Sequence, residues 1–109
     1  MDIGMTYTQW ATNRYFDEAT RKELEGIAGD NSEIRDRFYK ELDFGTAGIR
    51  GIIGAGTNRM NKYVVRRLST AIAAHLLSKG SKAKKDGVVI GYDSRNFSEE
   101  FAKEAAAVF

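Results

Sequence analysis

Residues 44–57 read Phe-Gly-Thr-Ala-Gly-Ile-Arg-Gly-Ile-Ile-Gly-Ala-Gly-Thr. Glycines fall at 45, 48, 51, 54 and 56, with Ile49, Ile52 and Ile53 among them. Glycine inside a helix costs about 0.5–1 kcal/mol relative to alanine, so five in fourteen residues exclude a helix here. They suit a loop and an irregular strand whose backbone closely approaches something else. On the N-terminal side, Asp17 reads as an N-cap before a helix-forming run, with Gly26 and Gly29 near its end. A second helix starts at Asn31-Ser32 and places Ile34, Phe38 and Leu42 on one face. The aromatic, polar residues 5–16 form a short helix packed as an arm. On the C-terminal side, Val65, Leu68, Ile72 and Leu76 keep helical spacing between Asn61 as N-cap and Gly80 as stop. Lys82 to Gly87 reads as a hydrophilic loop. Val88-Val89-Ile90 then reads as a buried strand leading to Gly91-Tyr92. Asp93 to Asn96 make a turn, and Ser98 caps a last helix bearing Phe101, Ala105 and Phe109. This alternation argues an α/β fold: an incomplete mixed or parallel sheet flanked by helices. Two strands rarely stand alone, and the chain stops on the apolar face of its last helix, so it reads as truncated.

Composition bounds the chemistry. The 109 residues are 42% hydrophobic and 29% charged, ordinary for a soluble domain and unlike a disordered or fibrous chain. No apolar run reaches the roughly 20 residues that span a bilayer, and no secretory signal is visible, which points to the cytoplasm. No cysteine means no disulfide, thiolate metal site or cysteine nucleophile, and a single histidine argues against a transition-metal site. The net charge of +2 hides a division. Residues 14–43 carry six basic and nine acidic side chains, whereas residues 44–87 carry nine basic ones against Asp86 alone. A basic segment of this kind suits a phosphorylated ligand or nucleic acid; the plainer account is a solvated helix face and a Lys-rich loop.

Two places could hold an anion. The glycine-rich segment is not a P-loop, because Thr57-Asn58 replaces Lys-Ser/Thr, and not a dinucleotide fingerprint, because Arg59 stands where a third glycine belongs. What remains is Thr46 and Arg50 between glycines, where backbone N–H groups, a hydroxyl and a guanidinium can surround phosphate oxygens. A glycine-rich hairpin with an exposed arginine is the rival account. The second place is Gly91 to Arg95, at the end of a strand and before a helix N-terminus, where Asp93 could orient Arg50 or Arg95. Against it stands an aspartate that caps its own turn and an arginine in a surface ion pair. His75 lies beside Ile72 and Leu76 and reads as packing at a core edge. Asn96-Phe97-Ser98 fits a glycosylation sequon but reads as a turn and cap. No serine has a visible base partner.

FGTAGIRGIIGAGTNRMN at 44–61 and GYDSR at 91–95, in this order and spacing, resemble the α-D-phosphohexomutases, most of all the bacterial phosphoglucomutase/phosphomannomutase branch. The approach YKELDFGTAGIRG and the opening aromatic arm with Trp10 are similar too, so the resemblance covers nearly the whole chain. It implies residues 1–43 as an N-terminal helical arm and 44–109 as the first part of α/β domain I. It implies a parent enzyme, an intramolecular phosphotransferase that interconverts hexose 1-phosphate and 6-phosphate through a phosphoserine, with Mg2+ and a hexose 1,6-bisphosphate activator. Arg50 matches the residue that positions the phosphoryl group, and Thr46, Arg50 and Arg95 match substrate-binding positions. The Thr-Ala-Ser-His-Asn phosphoserine loop and the Asp-Gly-Asp metal loop do not occur in the 109 residues, so these residues alone are expected to be inactive and to bind no cofactor. The expected partner is a phosphorylated hexose, with no nucleic acid and no membrane, and self-association through an open sheet edge. Two rivals stand beside this reading: an anion- or nucleic-acid-binding module built on residues 44–87, and an interaction fragment with no ligand.

Overall fold

Three aspartates open the first three helices. Asp2 Oδ1 accepts from the Met5 N–H at 3.0 Å, Asp17 Oδ1 from Thr20 at 2.8 Å and Asp30 Oδ1 from Glu33 at 3.0 Å. Each bond satisfies an amide that the first turn of a helix leaves without a partner. In the computed structural model, which describes residues 2–45, 48–92 and 97–109, the helices so capped are α1 (Ile3–Thr12), α2 (Glu18–Glu25) and α3 (Asn31–Phe38). Asp17 caps as expected; α3 takes its cap from Asp30, one residue ahead of the expected start. Helix α3 ends at Phe38, so Leu42 does not extend its apolar face. It lies instead against Gly51, where an added methyl group would stand 2.8 Å from Leu42 Cδ2.

The chain divides into two compact units, Met1–Asn61 and Lys62–Phe109. In the first, Leu24 and Phe38 are fully buried and Trp10, Ile34 and Ala55 nearly so. Burying a side chain of the size of Leu or Phe contributes about 1.5–3 kcal/mol. Tyr7 and Trp10 of α1 both meet Phe38 edge to face at 5.8 Å, and Trp10 stacks on Phe16 at 4.4 Å. The Tyr7 hydroxyl donates to the Leu24 carbonyl at 2.7 Å. The aromatic arm thus forms a helix and closes the core of this unit.

Strands β1 (Phe44–Gly45) and β2 (Gly48–Ile49) pair antiparallel, Phe44 opposite Ile49 and Gly45 opposite Gly48. Among the described residues this two-residue ladder is the whole sheet, apart from an isolated parallel bridge between Ile53 and Met60. The expected mixed or parallel sheet is therefore not formed by them. Residues 88–92 carry no strand, and Val89 is 97% exposed. β-branched side chains favour extended backbone, but a strand exists only by pairing, and no described segment offers 88–92 a ladder.

The second unit packs α4 (Lys62–Ser78) against α6 (Ser98–Val108) and α5 (Ser81–Asp86). Gly80 and Gly87, at φ +95° and +74°, follow the ends of α4 and α5 in the left-handed conformation that suits glycine. The expected loop at 82–87 is thus largely helical, because Ser-Lys-Ala-Lys-Lys-Asp is rich in good helix formers. The cap of α6 is Phe97 rather than Ser98. Phe97 takes φ +67°, makes no side-chain cap bond, and stacks its ring on Phe101 at 6.0 Å. His75 is exposed, not packed at a core edge, because even Ile72 one turn before it is 39% exposed. No helix among the described residues is long and apolar enough to cross a membrane.

Candidate functional site

The glycine-rich segment is tied down beyond its hairpin, in residues 52–61. The Met60 N–H donates to the Ile52 carbonyl at 2.8 Å and the Gly54 N–H to the Met60 carbonyl at 3.1 Å. The Asn61 amide donates to the carbonyls of Gly54 and Gly56, each at 2.9 Å. These bonds close a loop, and α2 and α3 hold it from outside. Glu23 Oε2 accepts from the Ala55 N–H at 2.8 Å, and Arg37 Nη1 donates to the Ala55 carbonyl at 3.1 Å. Glu23 and Arg37 also pair with each other, and Arg37 Nε donates to Glu33 Oε1 at 2.8 Å. Burial pushes the Arg37 guanidinium's pKa down, and the hydrogen bonds to Glu33 and Glu23 more than offset this, so the net shift is upward.

Next along the loop, Gly56 passes so close to α3 that a Cβ would stand 2.7 Å from the Arg37 carbonyl oxygen. The Thr57 hydroxyl donates to the Lys40 carbonyl at 2.8 Å, and the Asn58 N–H to the Arg37 carbonyl at 2.9 Å. The Asn58 bond gives Arg37, in the last turn of α3, a donor that the helix itself does not supply. Arg59 is 5% exposed, and its guanidinium pairs with Asp36, with Glu33 Oε1 at 3.7 Å.

The expected site residues divide accordingly. Thr46 and Arg95, with Asp93, lie outside the described residues. Arg50 stands exposed immediately after β2, and its guanidinium has no carboxylate partner among the described residues. It sits between two held points: the Leu42 N–H donates to the Thr57 carbonyl at 3.2 Å on one side, and Ile52 accepts from Met60 on the other. At least two charges counted in the basic segment are spent on internal pairs. Arg59 is one; Arg66 is another, in a two-pronged contact with Glu104 at 2.7 and 3.2 Å in the second unit. Lys79, Lys82, Lys84 and Lys85 remain exposed. The second unit also holds an apolar cavity of about 390 Å³ lined by Leu76, Leu77, Val88, Val108 and Phe109, with Lys84 its one cation. Its lining suits no anion. Among the described residues no three His, Asp or Glu side chains gather in one place.

Local reading of the sequence missed Glu23, Arg37, Thr57 and Asn61 as holders of the loop. Only the Glu33–Arg37 spacing of four was visible as a helix pair. The Glu23–Ala55 bond spans 32 residues and leaves no local pattern.

A family model described as phosphoglucomutase/phosphomannomutase, alpha/beta/alpha domain I, matches residues 41–109. A "Probable phosphoribomutase" of Schizosaccharomyces pombe is 42% identical over 95 residues, which is 85% of this chain and 16% of that protein. A phosphoglucomutase of Staphylococcus aureus is 42% identical over 76 residues, 70% of this chain and 13% of its own length. A mouse phosphopentomutase is 32% identical over 109 residues, covering 94% of this chain and 17% of the relative. The chain thus spans about a sixth of these relatives, or less. No solved structure matches it.

Proposed function

The chain belongs to the phosphoglucomutase/phosphomannomutase family, and from that premise we propose that it supplies phosphoryl-binding residues to an enzyme that interconverts hexose 1-phosphate and 6-phosphate. The observation that supports this reading is Arg50: an exposed guanidinium directly after a glycine-rich hairpin, between two held points, while Arg59 and Arg66 are engaged elsewhere. Arg50 positions the transferring phosphoryl group, and Thr46 and Arg95 are the further substrate-binding positions that the family resemblance implies. The chemistry asks little else of this part of the protein, since phosphoryl transfer is stabilised mainly by fixed positive charge around the equatorial oxygens. Residues 1–43 are an N-terminal arm and 44–109 the first part of domain I.

In the whole enzyme a phosphoserine, Mg2+ and a hexose 1,6-bisphosphate complete the cycle. The 109 residues contain neither the Thr-Ala-Ser-His-Asn nor the Asp-Gly-Asp sequence, so alone they convert no substrate. A sugar phosphate is a charged cytoplasmic metabolite, and the cytoplasm is the matching compartment. The nucleic-acid alternative is weakened because Arg59 and Arg66 are committed to carboxylates.

The test combines two assays on the pure chain. Glucose 1-phosphate with activator and Mg2+ should give no glucose 6-phosphate. A hexose 1,6-bisphosphate should bind weakly, and Arg50→Ala should weaken it about tenfold or more, the scale of one charge-assisted contact. Unchanged binding in Arg50→Ala would remove Arg50 from the site. Clear turnover by the chain would overturn the assignment of the chemistry to other segments.

A further inference from the structure

The family match begins at residue 41, yet the loop that follows the hairpin is held by side chains that precede it. We propose that Glu23 and Arg37 are positioning residues, whose ion pair grips the Ala55 peptide and thereby sets where Arg50 stands. The inference rests on the reading of Arg50 as a phosphoryl-holding residue.

The grip is closed on three sides. One Glu23 oxygen accepts from both the Ala55 N–H and the Arg37 guanidinium, and that guanidinium donates to the Ala55 carbonyl. Ala55 is 4% exposed and the Arg37 side chain 16%, whereas the Glu23 carboxylate is 42% exposed, so water reaches the grip from the Glu23 side. The two side chains come from different helices, α2 and α3, which both pack on α1 through the Tyr7 contacts to Leu24 and Phe38. A planar guanidinium can serve Glu33 through Nε and Ala55 through Nη1 at once; an ammonium group has no such fork.

From Ala55 the constraint runs to Arg50 through the backbone. Gly54 bonds to Met60 and Met60 to Ile52, two residues beyond Arg50. Thr57 bonds to Leu42, which leads into β1. A shift of the loop therefore moves both ends of the hairpin together, and Arg50 with them.

The test uses the 15N-labelled 109-residue chain, with Glu25→Gln, an exposed change on the same helix, as control. Glu23→Gln keeps the shape and removes the charge. It should speed amide exchange at Ala55 about tenfold, the loss of a charge-assisted hydrogen bond, and shift the Arg50 amide resonance. Exchange at Leu24 and Phe38 should stay within about twofold, because the core is untouched. Arg37→Lys keeps the charge, loses the fork and should give the same pattern. Unchanged Ala55 exchange, or an unmoved Arg50 resonance beside faster Ala55 exchange, overturns the proposal. So does equal acceleration at Leu24 and Phe38, which would make the pair a general stabiliser. In a titration with hexose 1,6-bisphosphate, Glu23→Gln should weaken binding roughly three- to tenfold, less than Arg50→Ala. If the unaltered chain binds nothing, the phosphoryl reading fails, and the Ala55 and Arg50 resonances still decide the coupling.

Discussion

Gly56 is where a single methyl group would do most harm. Its φ is +129°, and a Cβ there would press 2.7 Å from the Arg37 carbonyl oxygen and 2.9 Å from Arg37 Cβ. Backbone and helix would both have to yield. We expect Gly56→Ala to cost about 2–4 kcal/mol, from left-handed strain plus overpacking. Gly29→Ala, with nothing within 4 Å, should stay within about 0.5 kcal/mol. Urea unfolding followed at Trp10 decides both; similar midpoints for the two variants would refute the close approach. Lys40 offers a pH test at the same scale. Its hydrogen bond to Asp43, at 2.7 Å, holds its pKa above the ordinary lysine value. A raised value means that the pair's contribution is complete below the ordinary lysine pKa and fades as pH climbs through the folded one. In an NMR titration Asp43→Asn should bring Lys40 back toward its ordinary value; an unmoved midpoint would discard the pair. At this scale the sequence pointed to Arg50 by its glycine neighbours. It could not separate Arg50 from Arg59, because an arginine's partner is invisible in its own neighbourhood.

Helix starts were the most legible elements. Aspartate before a helix-forming run is a local signal: Asp17 was read as a cap and accepts from the Thr20 amide, while α3 is capped by Asp30, one residue ahead of the start read at Asn31-Ser32. Asp17→Ala should lower stability by about 1 kcal/mol, the usual worth of such a cap. Asp17→Asn should restore most of it, since the amide oxygen accepts the same bond. A loss in Asp17→Asn equal to that in Asp17→Ala, read by thermal unfolding, would show that charge rather than the cap bond matters. The last helix was read less well. Ser98 looked like its cap, but Phe97 takes that place with a left-handed backbone and a ring stacked on Phe101. Cap preference alone carries no sign of this arrangement. The expected strand at 88–92 failed for a different reason: strand identity is a pairing property, and propensity specifies only willingness.

At the scale of the whole chain, the one tryptophan lies in the core of the first unit, so its fluorescence reports that unit. Phe38→Ala empties the fully buried centre where Tyr7 and Trp10 meet. It should cost about 3–5 kcal/mol, against a total of about 5–15 for a domain, and expose Trp10 in dilute buffer. A native emission spectrum with an unmoved midpoint would displace Phe38 from the centre of the core. Residues 88–92 are β-prone, and Val88, Val89 and Tyr92 are exposed, so we also expect concentration-dependent association through this unpaired segment. Sedimentation velocity with Val89→Lys tests it; equal behaviour of the two chains would exclude the segment. The sequence by itself determined the family and every described helix but α5, which was read as a loop, because caps, apolar spacing and the FGTAGIRG and GYDSR runs are short-range patterns. Only the tertiary structure decided which charges stand exposed and what holds the loop. Those outcomes hang on Glu23–Ala55, Arg59–Asp36 and Arg66–Glu104, pairs 32, 23 and 38 residues apart. Contacts at such separations form only when packing of the helices closes the chain, and no local window records that closure.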